Sequence, residues 1–166
     1  MLSEERIIKG CVKNDKRFQK LLYDKYAATL LGIAMRYAHS KDEAEDIVQD
    51  AFCKILMKIK QYKGSGSFAG WMKKILINTA ITNYNKNEKH YYHSDISEMS
   101  DYYLDKEQLS EVEFQMSELL KVINKLPEGY KMVFNLYAIE GYKHREIAEM
   151  LGIEESTSKS QKGSFH

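Results

Sequence analysis

Apolar residues recur at three- and four-residue steps in two blocks, about residues 15–86 and 113–161, and the rhythm lapses between 87 and 111. A period near 3.6 builds amphipathic helices, whereas a half-buried strand needs a period of two, which no stretch of this chain keeps. The expected fold class is therefore all-α. Two small helical domains, 1–86 and 112–166, are joined by a flexible acidic linker at 87–111. The length of 166 residues and a hydrophobic content of 43% suffice for two small cores. One proline and nine glycines agree with a mostly helical chain.

In the first block Asn14 or Asp15 can cap a helix running to about Tyr37, with Phe18, Leu21, Leu22, Tyr26, Leu30, Ile33 and Tyr37 on its apolar face. Ser40-Lys41-Asp42-Glu43 has capping-box spacing and opens a second helix that turns Ala44, Ile47, Val48, Ala51, Phe52, Ile55, Leu56 and Ile59 inward. Lys63-Gly64-Ser65-Gly66-Ser67 breaks the pattern, and Ser67 caps a third helix that buries Phe68, Trp71, Ile75, Leu76, Thr79 and Ile81. That helix is expected to fade in Asn83-Tyr84-Asn85-Lys86-Asn87. In the second block Phe114, Leu119, Leu120 and Ile123 mark one helix. Pro127 opens another, with Tyr130, Val133, Phe134 and Tyr137 inward, and Gly141 turns the chain toward the last pair.

The net charge of +1 conceals a segregation of sign. Asp42, Glu43, Glu45, Asp46 and Asp50 form an acidic stretch; Lys54 through Lys89 are lysine-rich; Asp95 through Glu113 are acidic again. Segregated charge bears on partners rather than on fold. The face carrying Asp42, Glu45, Asp46, Gln49 and Asp50 suits a basic partner, the plainer alternative being a solvated face. The Lys63–Ser67 loop, between Tyr62 and Phe68 with Trp71 behind, combines glycines for close backbone approach, lysines for phosphates and rings for unpaired bases. A solvated loop beside a core Trp is the alternative.

Arg145-Glu146-Ile147-Ala148-Glu149-Met150-Leu151-Gly152-Ile153 has the steric pattern of a helix-turn-helix. Ala148 is small where two helices cross, Gly152 permits the tight turn, and Ile147, Leu151 and Ile153 pin the pair. The following helix would present Ser156, Thr157, Ser158, Lys159, Ser160 and Gln161 to phosphates and base edges. The alternative is an ordinary helical hairpin.

Other chemistry is sparse. Cys11 and Cys53 form neither a CxxC pair nor a disulfide framework. His90 and His93 with Asp95 lack well-placed third and fourth ligands, so no metal or cofactor is expected. No Gly-rich phosphate loop, nucleophile with a base partner or apolar carboxylate pair is present, and enzyme activity is not expected. Without a signal-like apolar core at its start or an apolar run long enough to span a bilayer, the chain reads as cytoplasmic, with no membrane insertion.

Two runs carry a resemblance. Asp42-Glu43-Ala44-Glu45-Asp46-Ile47-Val48-Gln49-Asp50-Ala51-Phe52, followed by Gly70-Trp71-Met72-Lys73-Lys74-Ile75-Leu76-Ile77-Asn78-Thr79-Ala80, resembles region 2 of sigma-70 family factors, in particular the extracytoplasmic-function (ECF) group. Leu126-Pro127-Glu128-Gly129-Tyr130, Glu140-Gly141-Tyr142, Glu146-Ile147-Ala148 and Leu151-Gly152-Ile153 resemble that group's region 4. The resemblance implies a factor that binds core RNA polymerase and directs promoter recognition. Asp42, Glu45, Asp46, Gln49 and Asp50 would meet the polymerase clamp helices. Lys63, Ser65, Ser67, Phe68, Trp71, Lys73, Lys74 and Asn78 would meet the minus-ten element. Arg145, Ser156, Thr157, Lys159, Ser160 and Gln161 would read the minus-thirty-five element. Promoter DNA and an anti-sigma factor are the further implied partners.

The chain departs from the family after Gln161, where an apolar residue and then basic residues are expected and Lys162-Gly163 stand instead. The last helix is accordingly expected to fray and duplex binding to be weak. Two alternatives remain at this stage: a factor-like protein with impaired DNA reading that acts through polymerase or anti-sigma binding, and a helix-turn-helix transcriptional regulator.

Overall fold

The computed structural model describes residues 3–91 and 111–163. Its regular elements are helical throughout the described residues: α1 (Glu4–Val12), α2 (Lys16–Met35), α3 (Lys41–Lys58) with a 3-10 turn at Ile59–Gln61, α4 (Phe68–Tyr91), α5 (Glu111–Asn124), α6 (Glu128–Phe134) running into a π-helical turn at Asn135–Ile139, α7 (His144–Leu151) and α8 (Glu155–Gly163). They form two compact units. The first holds Met1–Ala34 and Asp42–Ala80; the second holds Met35–Lys41 and Ile81–His166. The short segment between α2 and α3 thus belongs to the second unit. The linker expected at 87–111 falls largely outside the described residues.

In the first unit, local signals set the helix starts. The Arg17 backbone N–H donates to the Asp15 carboxylate at 3.0 Å, so Asp15 caps α2 while Asn14 takes a left-handed φ of 59°. The Gly70 N–H donates to Ser67 Oγ at 2.9 Å, capping α4 as expected. α1 was not expected; Ser3 caps it by accepting from the Arg6 N–H at 3.2 Å. α1 and α2 approach so closely at Gly10 that a Cβ there would lie 2.1 Å from the Phe18 ring.

Leu22, Leu30, Ile47, Val48, Ile55 and Leu76 fill the core, and edge-to-face pairs join α2 to α3 (Tyr23–Phe52, 5.1 Å) and to α4 (Tyr26–Phe68, 6.0 Å). Leu21, placed inward by the sequence, is 40% exposed, and Ile75 is only half-buried; Met72, Ile77 and Ala80 are buried instead. α4 also continues through Asn83–Asn87 to Tyr91, past its expected end. Intrinsic propensity was overridden there, for Ile81 and Tyr84 are buried and draw the helix onward.

In the second unit, Leu120, Ile123, Met132, Val133, Leu136 and Ile147 are buried. Leu119, expected inward, is 42% exposed. Tyr130, Phe134 and Tyr137 are half-buried, and the inner face of α6 and its π-turn carries Lys131 and Asn135. Their nitrogens find acceptors, while Asn135 Oδ1 is buried without a hydrogen-bond partner. Lys131 Nζ donates to the Ala38 carbonyl at 2.7 Å, and Asn135 Nδ2 donates to the Arg36 carbonyl at 2.8 Å. A side-chain ion pair, Arg36 to Glu140 at 2.8 Å, completes this cluster. Such groups lie inside only when paired.

Candidate nucleic-acid interfaces

On α3, Asp42, Asp46 and Asp50 recur every four residues along one face and are exposed. Gln49 is exposed and Glu45 half-buried; both border a groove of about 310 Å³ between α2 and α3, lined also by Tyr23, Ala27, Ala28, Leu31 and Val48. The five residues named from sequence thus share the outer side of one helix. Each is backed by core residues such as Ile47 and Ala51 on the opposite side.

The 62–67 loop is built on an aromatic stack. Phe68 and Trp71 lie near-parallel at 5.6 Å, and Tyr62 meets Phe68 at 5.1 Å and Trp71 at 5.4 Å. Tyr62 hydroxyl donates to the Gly66 carbonyl at 2.9 Å, which ties the loop down onto the stack. Gly64 and Gly66 adopt φ of 78° and 77°, a region that favours glycine. Lys63, Ser65, Ser67, Lys74 and Asn78 are exposed, and Trp71 and Lys73 are half-buried.

Phe68 must be corrected. At 2% exposure it sits in the core and cannot itself face a base; it supports Trp71 and Tyr62. Tyr62, a ring that the sequence places beside the glycine loop but that the family resemblance does not assign to the minus-ten element, is the third member of the stack. On the other side of α4, Lys54 Nζ donates to Thr79 Oγ1 at 3.3 Å and Thr79 donates to the Ile75 carbonyl at 2.8 Å. Those bonds explain how a hydroxyl is tolerated in this core.

The helix-turn-helix forms at α7 and α8. The Lys143 backbone N–H donates to the Glu146 carboxylate at 3.1 Å, which fixes the start of α7. At its end Gly152 adopts φ 66°, and the Ile153 N–H donates to the Ala148 carbonyl at 3.0 Å. Ile147 and Ala148 are buried, and α8 packs on both α6 and α7. Arg145, Ser156, Thr157 and Lys159 are exposed, Lys159 pairing with Glu155 at 3.4 Å. The side chains of Ser160 and Gln161 lie outside the described residues.

Ser158, which the sequence reading presented outward with its neighbours, is instead fully buried, and its Oγ lies 2.8 Å from His144 Nδ1. The His144 ring stacks on Tyr137 at 4.3 Å. His144 was missed because a lone histidine at a helix start carries no periodic signal. The backbone of α8 is helical through Gly163.

Cys11 is buried and Cys53 exposed, both as free thiols, and burial raises the Cys11 pKa. Among the described residues no cluster of His, Cys, Asp and Glu could hold a metal ion. His90 and His93 lie outside the described side chains. No helix among the described residues is long and apolar enough to cross a membrane.

The chain matches two family models by sequence. Residues 22–90 match the family model for Sigma-70 region 2, and residues 116–162 match that for Sigma-70, region 4. The chain is 31% identical to RNA polymerase sigma factor SigV of Bacillus subtilis over 132 residues, covering 78% of this chain and 75% of that one. It is 26% identical to RNA polymerase sigma-H factor of Pseudomonas aeruginosa over 168 residues, covering 95% and 87%. It is also similar to a solved co-crystal structure of sigma factor RpoE with the anti-sigma factor NepR from Bartonella quintana, at 19% identity and TM-score 0.49, covering 87% of this chain and 89% of that one. With regions 2 and 4 in family order on one chain whose described elements are helical, this protein belongs to the ECF group of the sigma-70 family and is a sigma factor that directs transcription from promoters.

Proposed function

We propose a division of labour along the chain, with residues 1–86 serving polymerase docking and the minus-ten element, 87–111 connecting, and 112–166 serving the minus-thirty-five element. The observation that carries this reading is the pairing of a glycine-and-lysine loop over an aromatic stack at 62–71 with a helix-turn-helix at 144–163. In the first domain the outer side of α3, with Asp42, Glu45, Asp46, Gln49 and Asp50, docks core RNA polymerase. Lys63, Ser65, Ser67, Lys73, Lys74 and Asn78 hold the phosphates and polar edges of the minus-ten strand. Trp71 and Tyr62 offer ring faces to an unpaired base. In the second domain Arg145, Ser156, Thr157 and Lys159, with Ser160 and Gln161, contact the minus-thirty-five duplex. The role is non-catalytic and cytoplasmic, and an anti-sigma protein is the regulator that family membership suggests.

Run-off transcription with core polymerase on a promoter library tests the reading. Selective transcripts that share two upstream elements are the expected result. Tight polymerase binding without selective transcription would instead favour a factor-like protein with impaired DNA reading. That second reading draws on α8, whose sequence ESTSKSQKG contains no apolar residue to anchor it.

A further inference from the structure

Recognition helices must be held rigidly, because a base-edge contact tolerates little displacement. An isolated helix of nine residues does not persist in water. Helices of this kind are ordinarily pinned by an apolar stripe, and α8 has none. Among the described residues beside it, the half-buried Ile153 is the apolar one on its N-terminal flank. Among its described side chains, Ser158 alone is buried, and that hydroxyl lies within one turn of the exposed Ser156, Thr157 and Lys159.

The partner of Ser158 is held from two sides. His144 sits at the first position of α7, so the backbone fixes its Cα, and stacking on Tyr137 at 4.3 Å with an interplanar angle of 16° fixes its ring plane. Nδ1 then lies 2.8 Å from Ser158 Oγ. The contact suits either neutral tautomer, since the hydroxyl can donate to a bare Nδ1 or accept from an Nδ1–H. It links the π-turn after α6, the start of α7 and the middle of α8.

We infer that His144 and Ser158 are positioning residues that set the pose of the recognition helix, a polar anchor standing where an apolar one is lacking. The inference rests on the reading of α8 as the duplex reader. Truncating either partner frees α8 to fray and to shift relative to α7. The DNA-facing side chains stay chemically intact, but duplex affinity falls.

The test uses the full chain and four variants: Ser158→Ala; His144→Phe, which keeps a stackable ring and removes the nitrogen; the double variant; and His144→Asn, which keeps a hydrogen-bonding group near the Nδ1 position. Two readouts are taken: amide hydrogen exchange across 128–163, and fluorescence anisotropy with a minus-thirty-five duplex against a minus-ten single strand. Ser158→Ala and His144→Phe should each weaken duplex binding about tenfold. The double variant should be no worse than either single, because both remove the same bond. His144→Asn should recover part of the loss. Exchange should quicken in α8 but not in α6 or α7, and single-strand binding should stay constant.

Wild-type duplex affinity with unchanged α8 protection in both single variants would overturn the inference. So would additive losses in the double variant, or loss of protection spread evenly over α6 to α8, which would make the bond a general prop of the domain. If the native chain binds no duplex while α8 protection responds as stated, the anchor stands and the duplex-reader reading falls.

Discussion

Arg36 and Glu140 are 104 residues apart in sequence and 2.8 Å apart in the second unit, with side chains only 10% and 4% exposed. Removing one partner leaves the other buried and unpaired, so Arg36→Ala should destabilise that unit by about 3–5 kcal/mol. Replacing both by apolar residues of similar size should cost far less. Chemical denaturation, followed by hydrogen exchange on residues 128–148, checks both outcomes. Tyr26 is a residue-scale probe of the first unit. Burial, and then its hydrogen bond to the Glu4 carboxylate, push its pKa from 10.0 up to about 12. A raised folded-state pKa favours the protonated phenol. The contribution is therefore whole below pH 10.0 and is lost as pH climbs toward about 12. Tyr26→Phe should be less stable than the native chain at neutral pH, and the gap should narrow over that alkaline window in thermal melts.

At the scale of elements, the 62–67 loop and α3 make opposite demands. The loop needs left-handed backbone at Gly64 and Gly66, with open space where a Cβ would point. Gly64→Ala and Gly66→Ala should each cost about 1–2 kcal/mol through strain alone. They should also weaken single-strand binding, since the Tyr62 bond to the Gly66 carbonyl depends on that conformation. Urea titration and anisotropy would separate the two effects. α3 tolerates change on its outer side. Asp46→Lys with Asp50→Lys should leave circular dichroism native, because both positions are exposed, and weaken core-polymerase binding about tenfold or more. Unchanged affinity in a pull-down titration would remove the docking assignment.

On the scale of the whole molecule, the two readers should differ in the form of DNA they take. The full chain should bind a minus-ten single strand better than the same sequence as duplex, with a salt slope near −0.7 log units per phosphate neutralised. Lys63→Glu with Lys74→Glu should flatten that slope and abolish strand opening in a permanganate footprint, while polymerase binding persists. Equal affinity for single strand and duplex would refute the base-capture role of the Tyr62–Trp71 stack.

The sequence by itself determined the helical class, the cap at Ser67, a first cap at Asn14 or Asp15, the turns at Gly141 and Gly152 and the acidic outer face of α3, because each is set by neighbours within a few residues. Family likeness made the two regions legible on the same grounds, through local runs of residues. Tertiary structure alone decided the rest. It left Trp71 half-exposed over the buried Phe68, carried α4 past its asparagines, and turned Ser158 inward to His144. It also placed Lys131 and Asn135 in the interior, where carbonyls at Ala38 and Arg36 accept from their nitrogens. Periodicity ranks residues by their own polarity. Whether a polar group can be buried depends on a partner remote in sequence, and only the folded chain supplies that partner.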